Sequence, residues 1–180
     1  IEAGEVAELA TGGNTGKLTL LQGKRLAEIR RHHSASLVQA YVEGNREGMD
    51  WLVGFAGHAG VSYERRADHS YAQDPNGVDS VREVHEAARE AGLATRMLTR
   101  EELSEAAFPV VSAVALDDQV TIDPALVTQA LAEELLATGG TLHTGTRVTA
   151  THVLPEPRVE TPVGPCLLYT SPSPRDQRGS

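Results

Sequence analysis

The longest regular pattern in the sequence is helical and extends over about residues 22 to 55. Charged residues fill the positions between its apolar residues, so one face is expected to pack on a core and the other to meet water. The pattern predicts one long amphipathic helix, which constrains the fold more than any other feature. The apolar residues recur at steps of three and four: Leu26, Ile29, Leu37, Val38, Tyr41, Val42, Met49, Leu52 and Val53.

The rest of the chain mixes shorter strands and helices without an internal repeat. We expect a turn at Ala67-Asp68, between the first two of five predicted strands. Because the mixture is irregular, the predicted fold class is mixed α/β and not a simple alternating barrel. The five stretches with strand composition are residues 61–64, 70–73, 114–120, 141–153 and 158–163.

Three further helices are predicted from signals at their ends. A side-chain oxygen before a helix satisfies its first N–H groups, and a glycine after it accepts the left-handed backbone that closes it. The helix over residues 78–91 follows the turn Asp74-Pro75-Asn76-Gly77 and ends at Gly92. A short helix starts at Thr99 and Glu102, which have capping-box spacing. The helix over residues 124–137 starts after Asp123-Pro124 and ends at Gly139-Gly140.

A glycine-rich loop, TGGNTGKL at residues 11–18, comes close to a phosphate loop. A phosphate loop has Gly, four residues and then Gly-Lys-Ser/Thr, but Thr11 replaces the first glycine and Leu18 replaces the magnesium-binding hydroxyl. The loop also follows a polar segment and opens no helix, so the N–H groups and dipole that hold a triphosphate are missing. The loop therefore does not predict a nucleotide triphosphatase.

The segment Ile1-Glu2-Ala3-Gly4 is typical of a buried strand that ends in a turn, with an acid at its carboxyl edge. In dinucleotide-binding units, an acid about 20 residues after the glycine fingerprint binds the ribose hydroxyls. Glu2 fits that position if the fingerprint lies upstream. On spacing alone, the alternative is that Glu2 is an acid exposed to solvent with no role in binding.

The composition limits the kinds of molecule that the protein is expected to bind. The formal net charge of -9 disfavours nucleic acid, because no basic stripe offsets it. The single cysteine, Cys166, excludes an internal disulfide and a cysteine-based zinc site, and no metal site is predicted. No apolar run approaches the roughly 20 residues of a membrane span, so we expect a cytoplasmic protein.

The last residues suggest a foreign tail. CLLYTSPSPRD, which begins at Cys166, resembles one reading frame of the transposase adapter used in DNA sequencing libraries. We therefore expect no packed structure after Pro165 and leave residues 166–180 out of the predicted fold.

Four motifs occur in order: IEAG at 1–4, TGGNTGKLTLLQG at 11–23, LTREELSEAAFP at 98–109 and VTIDPALVTQALAEELLATGGTLHTGTRV at 120–148. Their order resembles the FAD-dependent oxidoreductases of the glycine/D-amino-acid oxidase (DAO) family. Members of that family place an acid at the end of the second strand and a glycine-rich loop across the flavin. A substrate domain follows, and a D-P-x-x-L helix returns the chain to the FAD-binding domain. The loop is more loosely similar to members that carry a C-terminal Rieske domain.

The resemblance implies a partial, Rossmann-like FAD-binding domain with an inserted substrate domain of mixed or antiparallel sheet and helices. The implied boundaries are 1–56 for the first part of the FAD-binding domain, 57–122 for the substrate domain and 123–165 for the return. The Gly-x-Gly-x-x-Gly fingerprint does not occur in the sequence. We therefore expect an internal part of a longer enzyme, inactive and a poor FAD binder as it stands.

The resemblance also implies a cofactor, FAD, and a role for individual residues. Glu2 would hold the adenosine ribose, and Val148 would meet the adenine through its backbone. Lys17 falls where relatives often place a cation beside the flavin ring, where it would stabilise negative charge on the reduced cofactor. A solvated lysine is the alternative. The residues that would line the pyrophosphate and flavin are Thr11, Gly12, Gly13, Asn14 and Thr15.

Three functions remain open at this point. The favoured one is a flavoenzyme that oxidises a C–N bond of a small amine or amino acid by hydride transfer to FAD. The second is a flavoprotein of the same architecture that acts on another substrate, such as a 2-hydroxy acid or a glycerol phosphate. The third is a non-catalytic binding module whose glycines serve only turns.

Overall fold

The computed structural model describes residues 1–153 and 157–167, except for the side chain of Leu167. It forms two compact units: a split unit of Ile1–Asn14 with Pro124–Ser180, and a continuous unit of Thr15–Asp123. The mixed α/β class is confirmed, and both sheets are antiparallel. The predicted domain boundaries remain a prediction, because compact units describe packing and not which residues hold a cofactor.

The continuous unit is built on one antiparallel sheet. Its central strand is β4 (Ser112–Ile122), and β2 (Tyr63–Ala72) pairs with β4 along its whole length. Since β2 occupies one edge of β4, the short strands β1 (Lys17–Leu18) and β3 (Arg96–Met97) pair with its other edge. Lys17 is brought into register with Thr121 by this pairing.

The long helical pattern forms two helices, not one. They are α1 (Arg25–His32) and α2 (Ala35–His58), so the helical character of the region is confirmed and its continuity is wrong. Ser34 has an extended backbone, and its hydroxyl accepts a hydrogen bond from the N–H of Leu37 at 3.3 Å. Serine is a strong N-cap because it satisfies such an N–H group, and here it starts a second helix.

The predicted turn at Ala67-Asp68 is wrong, because β2 is one continuous strand. Ala67 lies opposite two residues of β4, Asp117 and Asp118, which makes a β-bulge in β4. Asp118 has a φ of +61°, a left-handed conformation that Asp tolerates better than most residues. The bulge bends the pair locally where the sequence suggested that the chain reversed.

The helices predicted from end signals are confirmed. They are α3 (Val78–Glu90), α4 (Arg100–Ser104) and α5 (Pro124–Ala137). Both glycines expected to close a helix have left-handed backbones, with a φ of +87° at Gly92 and +88° at Gly139. The predicted turn before α3 is a single 3-10 turn, Pro75–Gly77.

The core of the continuous unit lies between the sheet and three helices. Residues of α1, α2 and α3 form one apolar cluster with side chains from β2 and β4. The apolar stripe predicted for residues 22–55 faces the core in part, since Leu37 is 46% exposed. The stripe residues in the cluster or packed against it are Leu26, Ile29, Val38, Tyr41, Val42 and Met49. The largest side chains that are almost fully buried are Leu21, Leu26, Val38, Val42, Val114 and Val120.

The split unit contains α5 and a second sheet. Its strands are β5 (Ala150–His152), β6 (Arg158–Thr161) and β7 (Gly164–Leu167), paired in that order. Only the end of the strand predicted over residues 141–153 is regular.

The expectation that no packed structure follows Pro165 is wrong at two residues, since Cys166 pairs with Val159 and Leu167 with Arg158. Pairing uses backbone groups that every residue except proline carries, so strand β7 continues regardless of side chain. Residues 168–180 lie outside the described part.

The capping box of α4 gives a first prediction, on acid stability. Hydrogen bonds from the N–H of Thr99, at 2.8 Å, and from Arg96 lower the pKa of Glu102. Its contribution to stability is therefore present above the pKa of the unfolded chain and is lost as the pH falls through the lowered pKa. We expect Glu102→Gln to lower stability at pH 7 and to reduce the further loss on acidification to about pH 3, measured by urea unfolding. Glu101→Gln, in the same turn, is the control, and an unchanged pH dependence in Glu102→Gln would contradict the prediction.

Candidate functional site

The segment that carries Glu2 lies beside residues 143–146. The N–H of Glu2 donates to the carbonyl of His143 at 2.8 Å, and the N–H of Thr146 donates back to the carbonyl of Glu2 at 2.9 Å. A third bond joins the N–H of Gly145 to the carbonyl of Gly4 at 3.1 Å. Glu2 and the segment that leads to Val148, which the resemblance assigns to the ribose and the adenine of one cofactor, therefore lie side by side although about 140 residues separate them.

The side chain of Glu2 is exposed and partly oriented by its own turn. Its Oε1 atom accepts a hydrogen bond from the N–H of Gly4 at 3.0 Å. The other oxygen, Oε2, makes no hydrogen bond within residues 1–153 and 157–167. One carboxylate oxygen is thus fixed and the other remains available as an acceptor for a hydroxyl pair. This arrangement fits the ribose contact that the sequence predicts.

The glycine-rich loop of the split unit folds tightly on itself. A Cβ atom at Gly12 would lie 2.4 Å from the carbonyl oxygen of Ala7, so only glycine fits there without a backbone shift. The side-chain amide of Asn14 donates to the carbonyl of Thr11 at 2.8 Å and closes the loop. Thr11, Gly12, Gly13 and Asn14 are all exposed, so a ligand has access to their backbone. The loop therefore fits a close backbone approach, although Gly12 is also required by the fold.

The other predicted cofactor residues are placed as follows. Val148 is 39% exposed, and the next residue, Thr149, donates its N–H to the carbonyl of Glu160 at 2.9 Å. The backbone at Val148 is therefore anchored beside β6. Thr15 is exposed and belongs, with Lys17, to the continuous unit.

Lys17 pairs with a buried carboxylate that sequence reasoning missed. The Nζ atom of Lys17 lies 2.5 Å from Oδ1 of Asp68, and the two side chains are 47% and 8% exposed. Asp68 also accepts hydrogen bonds from the hydroxyl of Thr19 at 2.7 Å and from the N–H of His69 at 2.9 Å. The ammonium is thus half exposed, with its counter-charge held inside the protein.

Asp68 was assigned to a turn from composition, which is why it was missed. It lies within β2, directly after the bulge. One signal was available: an acid between Arg66 and Tyr71, inside a stretch otherwise typical of a strand, needs a partner if that strand is buried. The sequence does not identify that partner, because Lys17 precedes Asp68 by about 50 residues and meets it only through strand pairing.

A cavity of about 480 Å³ opens over the sheet of the continuous unit, with Lys17 and Asp68 in its wall. Its lining is mainly apolar, and the rings of Tyr71 and Phe108 lie 5.1 Å apart between centroids. Small apolar cavities with a few polar groups are typical of ligand sites. The remaining apolar residues of the lining include Leu98, Leu103, Val110 and Ala113.

Most charged residues around this cavity are paired within the protein; Glu105, which also lines it, forms no ion pair within the described residues. Arg66 forms an ion pair with Glu64, and Glu102 is occupied by Arg96 and by the capping box. Lys17 is paired with Asp68. A ligand in the cavity therefore meets mainly apolar walls, with the ammonium of Lys17 only half covered by its partner.

The described residues include neither a cluster of metal-ligating side chains nor a helix able to cross a membrane. Within residues 1–153 and 157–167, no group of three or more His, Cys, Asp or Glu side chains is arranged to hold a metal ion. Among the helices of the described part, none combines the length and apolar character needed to cross a membrane.

The protein is similar in fold to a glycine oxidase and to an L-amino acid deaminase. With 16% identity and a TM-score of 0.71, it is similar to the glycine oxidase of Geobacillus kaustophilus over 92% of this chain and 45% of that one. With 22% identity and a TM-score of 0.64, it is similar to the L-amino acid deaminase of Proteus myxofaciens over 91% of this chain and 36% of that one. Identities this low show the fold alone.

The sequence is also similar to a known protein and to a family model. The chain is 25% identical over 147 residues to the putative Rieske 2Fe-2S iron-sulfur protein YhfW of Bacillus subtilis (strain 168), which covers 79% of this chain and 28% of that protein. It therefore spans less than half the length of each relative named here. The family model described as FAD dependent oxidoreductase (DAO) matches residues 1–165. Because that match covers nearly the whole chain, the protein belongs to the FAD-dependent oxidoreductase family, whose cofactor is FAD.

Proposed function

We propose that the protein is part of a flavoenzyme that oxidises a C–N bond of a small amine or amino acid. The observation that carries the proposal is the half-exposed ammonium of Lys17 in the wall of a mainly apolar cavity, in a chain of this family. When bound, FAD supplies the electron acceptor: a hydride leaves the carbon next to nitrogen, and the C–N bond becomes C=N. A glycine oxidase and an amino acid deaminase among the structural neighbours support the choice of substrate class.

Two features of the continuous unit suit that chemistry. The ammonium of Lys17 is a fixed positive charge, which stabilises negative charge as it develops on a reduced cofactor. The apolar walls exclude water and favour the neutral form of an amine, the form from which a hydride is lost. Lys17 thus acts by electrostatics, and the cavity acts by selecting the protonation state of the substrate.

The cofactor residues of the proposal lie mainly in the split unit. Glu2 offers Oε2 to the ribose, and the exposed backbone around Gly12 approaches the pyrophosphate and the flavin. Val148 would contact the adenine through its backbone, which the bond from Thr149 to Glu160 anchors. Thr11, Gly13, Asn14 and Thr15 complete the proposed set.

The pairing of charges disfavours a doubly charged group, such as the phosphate of a glycerol phosphate, more than the single carboxylate of an amino acid. A phosphate binds where cations offer several charge-assisted hydrogen bonds, and a single carboxylate needs fewer. Near this cavity, Lys17 and Arg66 already have acidic partners. A non-catalytic module is disfavoured because the family is one of oxidoreductases.

The role of Lys17 gives a second prediction. We define the extended protein as a polypeptide of the relatives' full length that contains this sequence. In it, we expect Lys17→Ala to slow flavin reduction by about 10²-fold, because a charge aimed at the developing anion is lost. FAD affinity is expected to change much less. Anaerobic stopped-flow absorbance measures reduction, and fluorescence titration measures affinity.

The matched control is Lys24→Ala, which removes the only other lysine in the 180-residue sequence, an exposed one. Reduction as fast in Lys17→Ala as in Lys24→Ala would refute the role of Lys17. The reaction class is tested separately with small amines, amino acids and 2-hydroxy acids. Reduction by 2-hydroxy acids alone would refute oxidation of a C–N bond.

A further inference from the structure

We propose that Asp68 is the positioning residue of Lys17: it holds the ammonium at one point of the cavity wall. This inference rests on the role proposed for Lys17 above. Asp68 acts through that lysine and not on a substrate, because both of its carboxylate oxygens are engaged by protein groups.

The first argument is burial. With its side chain 8% exposed, Asp68 cannot exchange Lys17 for water without leaving a buried charge unpaired. Lys17 has no such restraint of its own, since it is 47% exposed and its stem has four rotatable bonds. The pair is therefore asymmetric: the carboxylate is confined, and it confines the ammonium.

The second argument is that Asp68 is itself fixed from two directions. The N–H of His69 binds Oδ1 from its own strand, and the hydroxyl of Thr19 binds Oδ2 from the segment that carries Lys17. The Thr19 hydroxyl also accepts the N–H of Leu21 at 3.1 Å, and that leucine is fully buried. Both partners of the ion pair are thus tied to the core.

The third argument is that the ammonium of Lys17 keeps N–H donors that Asp68 does not use. An ammonium has three N–H donors, and the contact with Asp68 occupies one side of it. Lys17 is 47% exposed and lines the cavity, so a group bound there has access to donors that Asp68 does not occupy. A lysine without Asp68 would distribute its charge over many rotamers, which weakens the stabilisation of any one position.

The test is site-resolved amine labelling of the 180-residue chain with an acylating reagent, read by peptide mass spectrometry. With only two lysines in the sequence, Lys24 is an internal reference. In Asp68→Asn, which keeps the shape of the side chain and removes its charge, we expect the labelling rate of Lys17 relative to Lys24 to rise about tenfold. Asp79→Asn, which removes an exposed aspartate from another ion pair, is the matched control and should leave the ratio unchanged. An unchanged ratio in folded Asp68→Asn would overturn the inference.

A milder variant covers the case in which Asp68→Asn does not fold. Thr19→Val removes one hydrogen bond to Asp68 and keeps both charges, so the labelling ratio should rise by only about two- to fivefold. If Thr19→Val leaves the ratio as it is in the parent chain, Asp68 is not held as proposed.

Flavin reduction in the extended protein separates this inference from the proposed function. We expect Asp68→Asn to slow reduction, and to add nothing when Lys17→Ala is already present, because the two changes act through one ammonium. Slow reduction in Lys17→Ala with normal reduction in Asp68→Asn would overturn the positioning role alone. Normal reduction in Lys17→Ala would refute the proposed role of that lysine, and the labelling ratio would then still decide whether Asp68 holds it.

Discussion

The 180-residue chain is expected to bind FAD at least about 10³-fold more weakly than the extended protein. High flavin affinity depends on a phosphate that meets a helix N-terminus across a glycine fingerprint, and the sequence contains no Gly-x-Gly-x-x-Gly. Glu2 offers one charge-assisted hydrogen bond, worth roughly 1.5–3 kcal/mol, whereas micromolar binding requires about 8 kcal/mol. Gel filtration with excess FAD, followed by an absorbance spectrum, measures the difference.

Glu2 supplies the internal check on this expectation. In the extended protein, Glu2→Ala should weaken FAD binding by about tenfold to 100-fold. Glu5→Ala, which removes an exposed carboxylate three residues further on, should leave it unchanged. Stoichiometric FAD on the 180-residue chain would contradict the expectation, and a colourless extended protein would contradict the proposed cofactor site.

The largest effect on stability is expected from Leu26→Ala. Leu26 is 0% exposed and lies in the cluster where α1 packs against the rest of the core. Alanine is compatible with the helix, so the cost comes from lost burial and from the cavity left behind, about 2–5 kcal/mol in the free energy of unfolding. Urea unfolding followed by circular dichroism measures this change.

Leu37→Ala is the matched control, since Leu37 lies in the neighbouring helix α2 and is 46% exposed. It should cost less than about 1 kcal/mol. Equal losses in the two variants would show that the apolar cluster around α1 does not carry the stability assigned to it.

The elements that sequence predicted well are those whose ends have a local cause. Helix α5 begins at Pro124 and α4 begins after Thr99, as the capping signals require. Gly92 closes α3 through a conformation that glycine adopts without strain. Such signals depend on neighbours within a few residues, so they survive whatever the rest of the fold does.

The elements that sequence mispredicted depend on distant partners. Ser34 is a strong N-cap residue, but serine also occurs within helices, and the apolar steps of three and four continue past it, so the sequence alone did not place the break. Ala67-Asp68 resembles a turn until β4 is placed beside it with Asp118 in the bulge. Asp68 was missed for the same reason, since the pairing of β1 and β2 with β4 brings it to Lys17.

In the candidate site, too, the features with a local cause were predicted and those that depend on distant residues were not. Gly12 and Asn14 form a loop whose tight closure is local, and that loop was identified from sequence. The partner of Glu2 was found only through the family resemblance, because the bonds to residues 143–146 cross most of the chain. The cavity with Tyr71 and Phe108 was not predicted at all, since its walls come from separate elements.

The division into a continuous and a split unit has a consequence for the order of folding during synthesis. All strands of the continuous unit are available once Ile122 has left the ribosome, so this unit can close while the chain is still growing. The bonds between Glu2 and residues 143–146 cannot form until about 20 further residues have been made. For about 1–4 s residues 1–14 therefore lack the partner that residues 143–146 supply, and a ribosome that pauses within α5 prolongs that interval.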